Sequence, residues 1–228
     1  ITMNEAQTRL EKIDPKLKDA GWGEVEESRI LVEQQITKGK ISLTERRKPL
    51  LADYILSYKG KKLAIIEAKS DEKSANEGVM QAKQYADMMN IRFTYATNGD
   101  EIYGIDMETG DEDWIDSFPS PDQLWLKTFG TKTDLWRDKF YSEPFYTSGG
   151  KTPYYYQETA VNRVLEAIAE DKNRVLLTLA TGTGKTFIAF QIAWKLFQTR
   201  WNLSKNNLRP RILFLADRNI LADQAFNG

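Results

Sequence analysis

The first half of the chain carries two acidic residues and a lysine at the ends of two neighbouring strand-like segments. Asp53 lies at the start of one segment, and Glu67 and Lys69 close the next. The Lys59-Gly60 pair between the segments predicts the turn of an antiparallel hairpin, which would bring these ends together. Because side chains alternate along a strand, we expect Glu67 and Lys69 on one face, so that two carboxylates and a lysine converge.

This combination of carboxylates and lysine could cleave phosphodiester bonds. The sequence contains no histidine and no cysteine, so a metal ion would need oxygen ligands, which favour magnesium, manganese or calcium. Magnesium held by Asp53, Glu67 and the backbone at Ala68 could activate a water molecule and neutralise charge in the transition state. Lys69 could position that water, help to deprotonate it or stabilise the transition state, and the residues alone do not separate these roles. The alternative is a structural ion-pair cluster without catalytic activity.

A second group of residues predicts a nucleotide site in the last third of the chain. It lies between an apolar strand-like segment and a helical segment, which is the placement that a phosphate-binding loop requires. Its glycines let backbone N–H groups surround a triphosphate, Lys185 can reach the β- and γ-phosphates, and the Thr186 hydroxyl can ligate magnesium. A strict eight-residue loop would need glycine where the chain has Leu179, so only the shorter helicase-type loop fits. The predicted nucleotide-binding residues of the loop are Thr181, Gly182, Thr183, Gly184, Lys185 and Thr186.

Two further features flank this loop. Gln157 follows three consecutive tyrosines and resembles the glutamine that reads adenine in superfamily 2 helicases; a solvated side chain at the start of a helix is the alternative. Residues 217–224 resemble the Asp-Arg-x-x-Leu-x-x-Gln segment of restriction-enzyme motors. That resemblance implies that Arg218 lies against the DNA backbone, and a capped helix start at Asp217 is compatible with it.

The helical segment after the hairpin makes the nuclease pattern more specific. It places Gln81 and Tyr85 on one helix face, at i and i+4. Together with the carboxylates and lysine of the hairpin, these two residues resemble the PD-(D/E)xK nucleases with the Gln-x-x-x-Tyr extension of RecB-like nucleases and type I restriction enzyme R subunits. The sequence departs from the motif at Ala52, which replaces its proline. The resemblance implies that Gln81 and Tyr85 belong to the catalytic site and contact DNA. The matching residues are Asp53, Glu67, Lys69, Gln81 and Tyr85.

The two motif sets follow each other in the order found in type I R subunits. Glu5 and Arg9 also look like the opening of such subunits; Glu5 could approach the metal site or form a surface ion pair with Arg9. The resemblance implies an ATP-dependent endonuclease and DNA translocase of a type I restriction-modification system, with Mg²⁺ in the nuclease site and ATP with Mg²⁺ in the motor. The implied partners are double-stranded DNA and the modification (methyltransferase) and specificity subunits.

The elements that must position these residues predict an α/β fold in two parts. The resemblance implies a mixed-sheet, PD-(D/E)xK restriction-endonuclease-like domain over residues 1–148 and the beginning of a RecA-like parallel α/β P-loop domain over residues 149–228. The run of small residues and proline at 147–153 is the predicted linker. Helices are predicted at residues 4–22 (in two pieces, with Asp14 as N-cap of the second), 74–90, 156–170 and 185–198. Strands are predicted at residues 30–36, 52–58, 62–69, 92–97, 101–106, 174–180 and 211–216.

The remaining segment, residues 108–146, shows no clean period and predicts an irregular stretch packed by its aromatic side chains. Composition agrees with an ordinary soluble protein, at 41% hydrophobic and 29% charged residues. The apolar runs are only strand-sized, so we expect no membrane segment and a cytoplasmic location. Since no acidic Walker B motif follows within the 228 residues, we expect this chain by itself to hydrolyse ATP poorly.

Two other functional classes remain open from the residues. One is another nuclease–helicase fusion, acting in DNA repair or anti-phage defence. The other is a small-molecule kinase or signalling ATPase, which is disfavoured because nothing else in the sequence suggests a second substrate pocket.

Overall fold

A computed structural model of the chain describes residues 2–36, 50–131, 135–204, 206 and 208–215. These residues fall into two compact units, one reaching residue 131 and the other beginning at residue 135. None of the helices in these ranges is long and apolar enough to cross a membrane.

The first unit is built on a six-stranded mixed sheet in which the strands follow each other in chain order. All neighbours are antiparallel except the third and fourth strands, which are parallel and are connected by a helix at Val79–Met89. The predicted mixed α/β sheet is therefore confirmed. The strands are β1 Ser28–Ile36, β2 Leu50–Tyr58, β3 Lys61–Ala68, β4 Phe93–Thr97, β5 Ile102–Asp106 and β6 Glu112–Ile115. The helices are α1 Glu5–Thr8, α2 Asp14–Asp19, α3 Val79–Met89 and α4 Pro121–Phe129, with a 3₁₀ turn at Ala75–Gly78 before α3.

The β2–β3 hairpin has the predicted turn and the predicted alternation. Lys59 and Gly60 both adopt positive φ, +48° and +77°, as the tight turns of antiparallel hairpins require. Ala64, Ile66 and Ala68 face one hydrophobic core. The opposite face, which carries Glu67, is covered by α3. The hairpin therefore brings Asp53 and Glu67 to the same end and the same face of the sheet.

The prediction that a second helix starts at Asp14 is wrong, because the first helical region is one continuous run. A π-helical turn, Arg9–Ile13, joins α1 to α2, and Asp14 already has helical dihedral angles of −56° and −44°. The N-cap is Asn4, whose Oδ1 accepts the Gln7 N–H at 2.9 Å while the Gln7 Oε1 accepts the Asn4 N–H at 3.3 Å. Because this capping box fixes the start upstream, Asp14 has no free helix end to cap.

The prediction of an irregular segment over residues 108–146 is also wrong. The segment contains β6, α4 and a further helix, α5, at Leu135–Ser142. Helix α4 carries a start signal that was overlooked: Ser120 and Gln123 form a reciprocal capping box, and Pro121 is the first helical residue. The elements are short, and their aromatic residues hide the period; in α4, Trp125 packs edge-on against Tyr58 of the sheet.

The second unit consists of α5 with the two predicted helices, α6 Tyr155–Ala169 and α7 Lys185–Gln198, around their own core. The strands predicted at 174–180 and 211–216 are not formed in the described residues, which end at 215. Leu176 and Leu213 are 89% and 82% exposed. A parallel strand needs a hydrogen-bonded neighbour, and no described segment of this unit pairs with either one, so strand propensity alone does not produce a strand.

Gly99 allows the first helical region to dock against the β4–β5 turn. It has φ +88°, and a Cβ there would lie 2.7 Å from Lys12 Cβ and 3.0 Å from Thr8 Cγ2. We expect Gly99→Ala to lower the free energy of unfolding by about 2–4 kcal/mol in urea denaturation, from backbone strain together with displacement of the helix. Gly110→Ala is the matched control, since it has φ +80° with nothing within 4 Å and tests the backbone strain alone. Equal losses in the two variants would contradict the docking.

Candidate functional site

Asp53, Glu67 and Lys69 converge at the end of the hairpin, as the sequence predicted. The Asp53 Oδ2 accepts the backbone N–H of Ala68 at 2.7 Å. Lys69 Nζ contacts Glu67 Oε1, also at 2.7 Å. The β2–β3 pairing therefore holds Asp53 beside the last residues of β3, and the lysine lies over the second carboxylate.

The Glu67 carboxylate is buried and only partly satisfied. Glu67 is 3% exposed, and its Oε2 has no hydrogen-bond partner. Burial, followed by the nearby negative charge of Asp53, raises the pKa of Glu67 to about 7, although Lys69 acts in the opposite direction. An oxygen with these surroundings needs either a proton or a cation.

Lys69 stays charged despite its own burial. Desolvation alone would lower the pKa of the ammonium group, but the hydrogen bond to Glu67 and the charges of Glu67, Glu5 and Asp53 leave the pKa above its ordinary value. Lys69 therefore contributes a fixed positive charge at the site. In this arrangement it is a cation that can hold an anion rather than a free base.

Helix α3 supplies the two polar residues predicted from their spacing. Gln81 Oε1 accepts from Lys69 Nζ at 3.4 Å, and Gln81 Nε2 donates to the Tyr85 hydroxyl at 2.9 Å. The hydrogen-bonded chain thus runs from Glu67 through Lys69 and Gln81 to Tyr85. Burial raises the pKa of Tyr85, which keeps its hydroxyl protonated.

Gly78, at the end of the 3₁₀ turn before α3, is a positioning residue that sequence reasoning missed. A Cβ at this position would lie 3.2 Å from Glu67 Cγ and 3.4 Å from Lys69 Cε. A larger residue would press on both side chains, and glycine lets the turn approach them without displacing either. The position of Gly78 inside the helix predicted at residues 74–90, where glycine is unfavourable, was the available signal.

Arg9 also reaches this site, from the π-helical turn. Its Nη1 lies 3.7 Å from Asp53 Oδ1 and 3.1 Å from Glu33 Oε1. Arg9 therefore contacts carboxylates of β1 and β2 instead of forming the alternative surface ion pair with Glu5. Glu5 is close enough for its charge to contribute to the raised pKa of Glu67. No local spacing rule links residues 9, 33 and 53, and these contacts were not predicted.

The two carboxylates fit a divalent cation. Asp53 Oδ1 lies beside Arg9, and Glu67 Oε2 has no partner, so each carboxylate keeps an oxygen that could bind a hard cation. Among the described residues there is no cluster of three or more acidic side chains close enough to hold a metal. Ala68 remains the predicted backbone ligand between them.

The predicted phosphate-binding loop leads directly into α7, as expected from the sequence. Gly182 and Gly184 have φ of +79° and +82°, and the helix begins at Lys185. Lys185 is exposed, and Thr186 is half-buried on the first turn. Thr181 begins the loop, and the Thr183 hydroxyl donates to the Ala180 carbonyl at 2.7 Å.

Gln157 is buried against this loop, so the alternative of a solvated side chain is wrong. Its Nε2 donates to the Thr183 carbonyl at 2.9 Å, and its Oε1 accepts the Tyr154 N–H at 3.0 Å. A Cβ on Gly184 would lie 2.6 Å from the Gln157 Nε2. Glycine at 184 therefore serves the packing of Gln157 as well as the backbone of the loop. Arg218 and the remainder of its motif lie outside the described residues.

Comparisons with known proteins agree with both halves of this description. Residues 24–119 match the family described as type I restriction enzyme R protein N terminus, and residues 150–228 match the family described as type III restriction enzyme, res subunit. The chain is 38% identical to the type I restriction enzyme EcoAI endonuclease subunit of Escherichia coli over 99% of its length, and it spans 28% of that relative. It is 42% identical to the EcoKI endonuclease subunit of Escherichia coli strain K12 over 32% of the chain and 6% of the relative.

The fold has a counterpart among solved structures. A fragment described as an HsdR subunit of a type I restriction enzyme from Vibrio vulnificus superposes with a TM-score of 0.80 at 37% identity, covering 92% of this chain and 41% of the other. Sequence and fold thus match the same kind of subunit over nearly the whole chain. The chain belongs to the type I restriction enzyme R (HsdR) subunits and corresponds to an N-terminal part of them.

Proposed function

We propose that this chain provides the metal-dependent nuclease site and the nucleotide-binding start of the motor in a type I restriction enzyme. The observation that carries the proposal is the buried Glu67 carboxylate beside Asp53, with an oxygen that no protein group satisfies. The first compact unit, which ends at residue 131, would form the nuclease domain. Helix α5, which lies within the predicted residues 1–148, packs with the second unit and would belong, with residues 149–228, to the start of the motor. The substrate would be double-stranded DNA, and the partners would be the modification and specificity subunits.

In the nuclease site, Asp53, Glu67 and the backbone of Ala68 would hold Mg²⁺, which supplies Lewis-acid activation of water and neutralises phosphate charge when bound. Lys69 carries a fixed positive charge next to Glu67 and would stabilise the negative charge that develops on the phosphate. Gln81 holds Lys69 in place, and the Tyr85 hydroxyl fixes Gln81 in turn. The partly exposed Gln81 would also face the DNA. Tyr85 was predicted to do so as well, but it is only 3% exposed, so it would act through Gln81 and not by contacting DNA.

In the motor site, the N–H groups at the start of α7 would bind phosphates, Lys185 would pair with the β- and γ-phosphates, and Thr186 would ligate Mg²⁺. Gln157 supports the loop through Thr183. ATP bound there, with Arg218 on the DNA backbone, would drive translocation in the complete subunit.

The first test is cleavage of plasmid DNA by the complete R subunit assembled with its modification and specificity subunits. We expect Asp53→Asn, Glu67→Gln and Lys69→Met each to reduce Mg²⁺-dependent cleavage by at least about a hundredfold while ATP turnover persists. Glu26→Gln, which alters an exposed carboxylate of the same unit, is the control. Cleavage that survives Asp53→Asn would contradict the nuclease assignment, and cleavage without ATP would contradict its dependence on the motor.

The raised pKa of Glu67 predicts a pH dependence of stability in the metal-free chain. Its pKa is about 7 in the folded protein against 4.5 ordinarily, so its stabilising contribution is fully present below about pH 4.5 and is lost as pH rises through 7. We therefore expect Glu67→Gln to gain stability over the natural chain between about pH 5 and about pH 8, by up to about 3 kcal/mol. Urea denaturation at several pH values measures this difference.

Two controls test whether the pH dependence comes from ionisation of Glu67. Mn²⁺ at saturating concentration should abolish the advantage of Glu67→Gln, because the cation stabilises only the ionised carboxylate. Glu26→Gln should show no such trend. A difference between Glu67→Gln and the natural chain that stays constant with pH would show that Glu67 does not ionise near neutrality.

A separate prediction concerns the contact between Gln157 and the phosphate-binding loop. Gly184→Ala should lower Tm more than Gly182→Ala, because both positions have positive φ but only the Cβ at 184 meets Gln157. The additional cost should be about 1–3 kcal/mol, the cost of breaking a buried hydrogen bond. In a Gln157→Ala background this additional cost should disappear. Equal Tm losses at 182 and 184 would contradict the contact.

A further inference from the structure

The π-helical turn that starts at Arg9 lies next to the nuclease site. Turns of this kind are rare, and they frequently occur at functional sites. The turn places the Arg9 guanidinium 5.1 Å from the centre of the Tyr54 ring. Tyr54 is the residue that follows Asp53 in β2. Only 14% of the Arg9 side chain is exposed, so its position is set by these neighbours rather than by solvent.

Asp53 faces a second carboxylate across the sheet. Val32 pairs with Tyr54 and Gln34 with Ala52, so Glu33 lies opposite Asp53. Like charges directly opposite each other in an antiparallel pair repel. Glu33 also adopts φ +50°. This backbone conformation is unfavourable for residues other than glycine, and it often marks functional sites.

A single nitrogen of Arg9 lies between these two carboxylates. Nη1 is 3.1 Å from Glu33 Oε1 and 3.7 Å from Asp53 Oδ1. The other oxygen of Asp53 accepts the Ala68 N–H. Asp53 is thus fixed on one side by the backbone of β3 and on the other by Arg9.

We infer that Arg9 is a positioning residue for the nuclease site, one that orients Asp53 toward the metal while Glu33 holds the guanidinium. This inference rests on the proposed metal site at Asp53 and Glu67. The longer of the two Arg9 contacts is the one to Asp53, which leaves Oδ1 accessible to a cation. Glu33, whose side chain is 66% exposed, keeps Arg9 from neutralising Asp53 completely.

Mn²⁺ binding, followed by electron paramagnetic resonance on the full chain without nucleotide, tests this role separately from catalysis. Asp53→Asn identifies the ion that belongs to the nuclease site. We expect Arg9→Gln to weaken binding of that ion by about tenfold, the cost typical of losing a residue that orients a metal ligand. Arg9→Lys should restore part of the affinity, since it keeps the charge but not the planar fork. Arg29→Gln, an exposed arginine of β1, should leave binding unchanged.

Glu33→Gln gives a second test at an exposed position where folding should be retained. With Glu33 neutral, Arg9 would pair with Asp53 alone and compete with the cation, so Mn²⁺ affinity should fall. Because both changes act through the same carboxylate, the double variant should bind no more weakly than Arg9→Gln alone.

Three outcomes would overturn the inference. Arg9→Gln binding Mn²⁺ as tightly as the natural chain, or more tightly, would show that Arg9 only opposes the cation. Additive losses in the double variant would show that Glu33 and Arg9 act independently. A natural chain without an Asp53-dependent Mn²⁺ ion would overturn the proposed metal site together with the role of Arg9, which distinguishes that failure from the first two.

Discussion

Glu67 lies almost completely out of contact with solvent and next to Asp53, and the free-energy cost of ionising it there governs the design of the first unit. An ionised carboxylate in such surroundings is unstable unless charge or hydrogen bonds compensate for the lost water. Lys69 satisfies one oxygen at 2.7 Å and leaves the other without a partner. This uncompensated negative charge on Glu67 favours the binding of a proton, which the raised pKa reflects, and is the basis of the proposed cation site.

The surrounding elements keep the Glu67 carboxylate buried and incompletely hydrogen-bonded. The parallel pairing of β3 and β4 requires a crossover, and α3 provides it while covering the carboxylate. The 3₁₀ turn approaches within contact distance because Gly78 has no side chain. From the other side, the first helical region brings Arg9 to Asp53. A looser arrangement would admit water to Glu67, and its pKa would return toward the ordinary value.

Sequence reasoning predicted the parts of this site that depend on local spacing. The alternation of strand residues placed Glu67 and Lys69 on one face, and the i and i+4 relation placed Gln81 beside Tyr85. It did not predict the contacts among Arg9, Glu33 and Asp53, because these residues come from three separate elements whose arrangement depends on the whole sheet. It also failed for residues 108–146, where short elements rich in aromatic residues show no clear period.

The second unit shows where strand propensity is insufficient. Residues 174–180 have an apolar sequence typical of a buried strand, yet Leu176 is exposed, because no described neighbour provides a ladder of hydrogen bonds. The helices formed as predicted because their hydrogen bonds are local, so a segment and its immediate packing are enough. This difference explains why α6 and α7 were predictable from period alone while the parallel sheet expected for the second unit was not formed by the described residues.

The two units each bury an ionisable side chain, Lys195 and Glu67, and the two differ in how completely the protein satisfies their hydrogen bonds. Lys195 on α7 is 2% exposed, and burial lowers its pKa to about 8, yet its ammonium group donates to the carbonyls of Phe140 and Glu143 and lies over the Phe145 ring. Because these carbonyls accept from its ammonium group, Lys195 holds the C-terminal end of α5 against α7. Glu67 is buried to a similar extent but keeps an unsatisfied oxygen beside a second carboxylate. Burial alone therefore does not identify a site; the group that the protein leaves incompletely paired is the one available for a ligand.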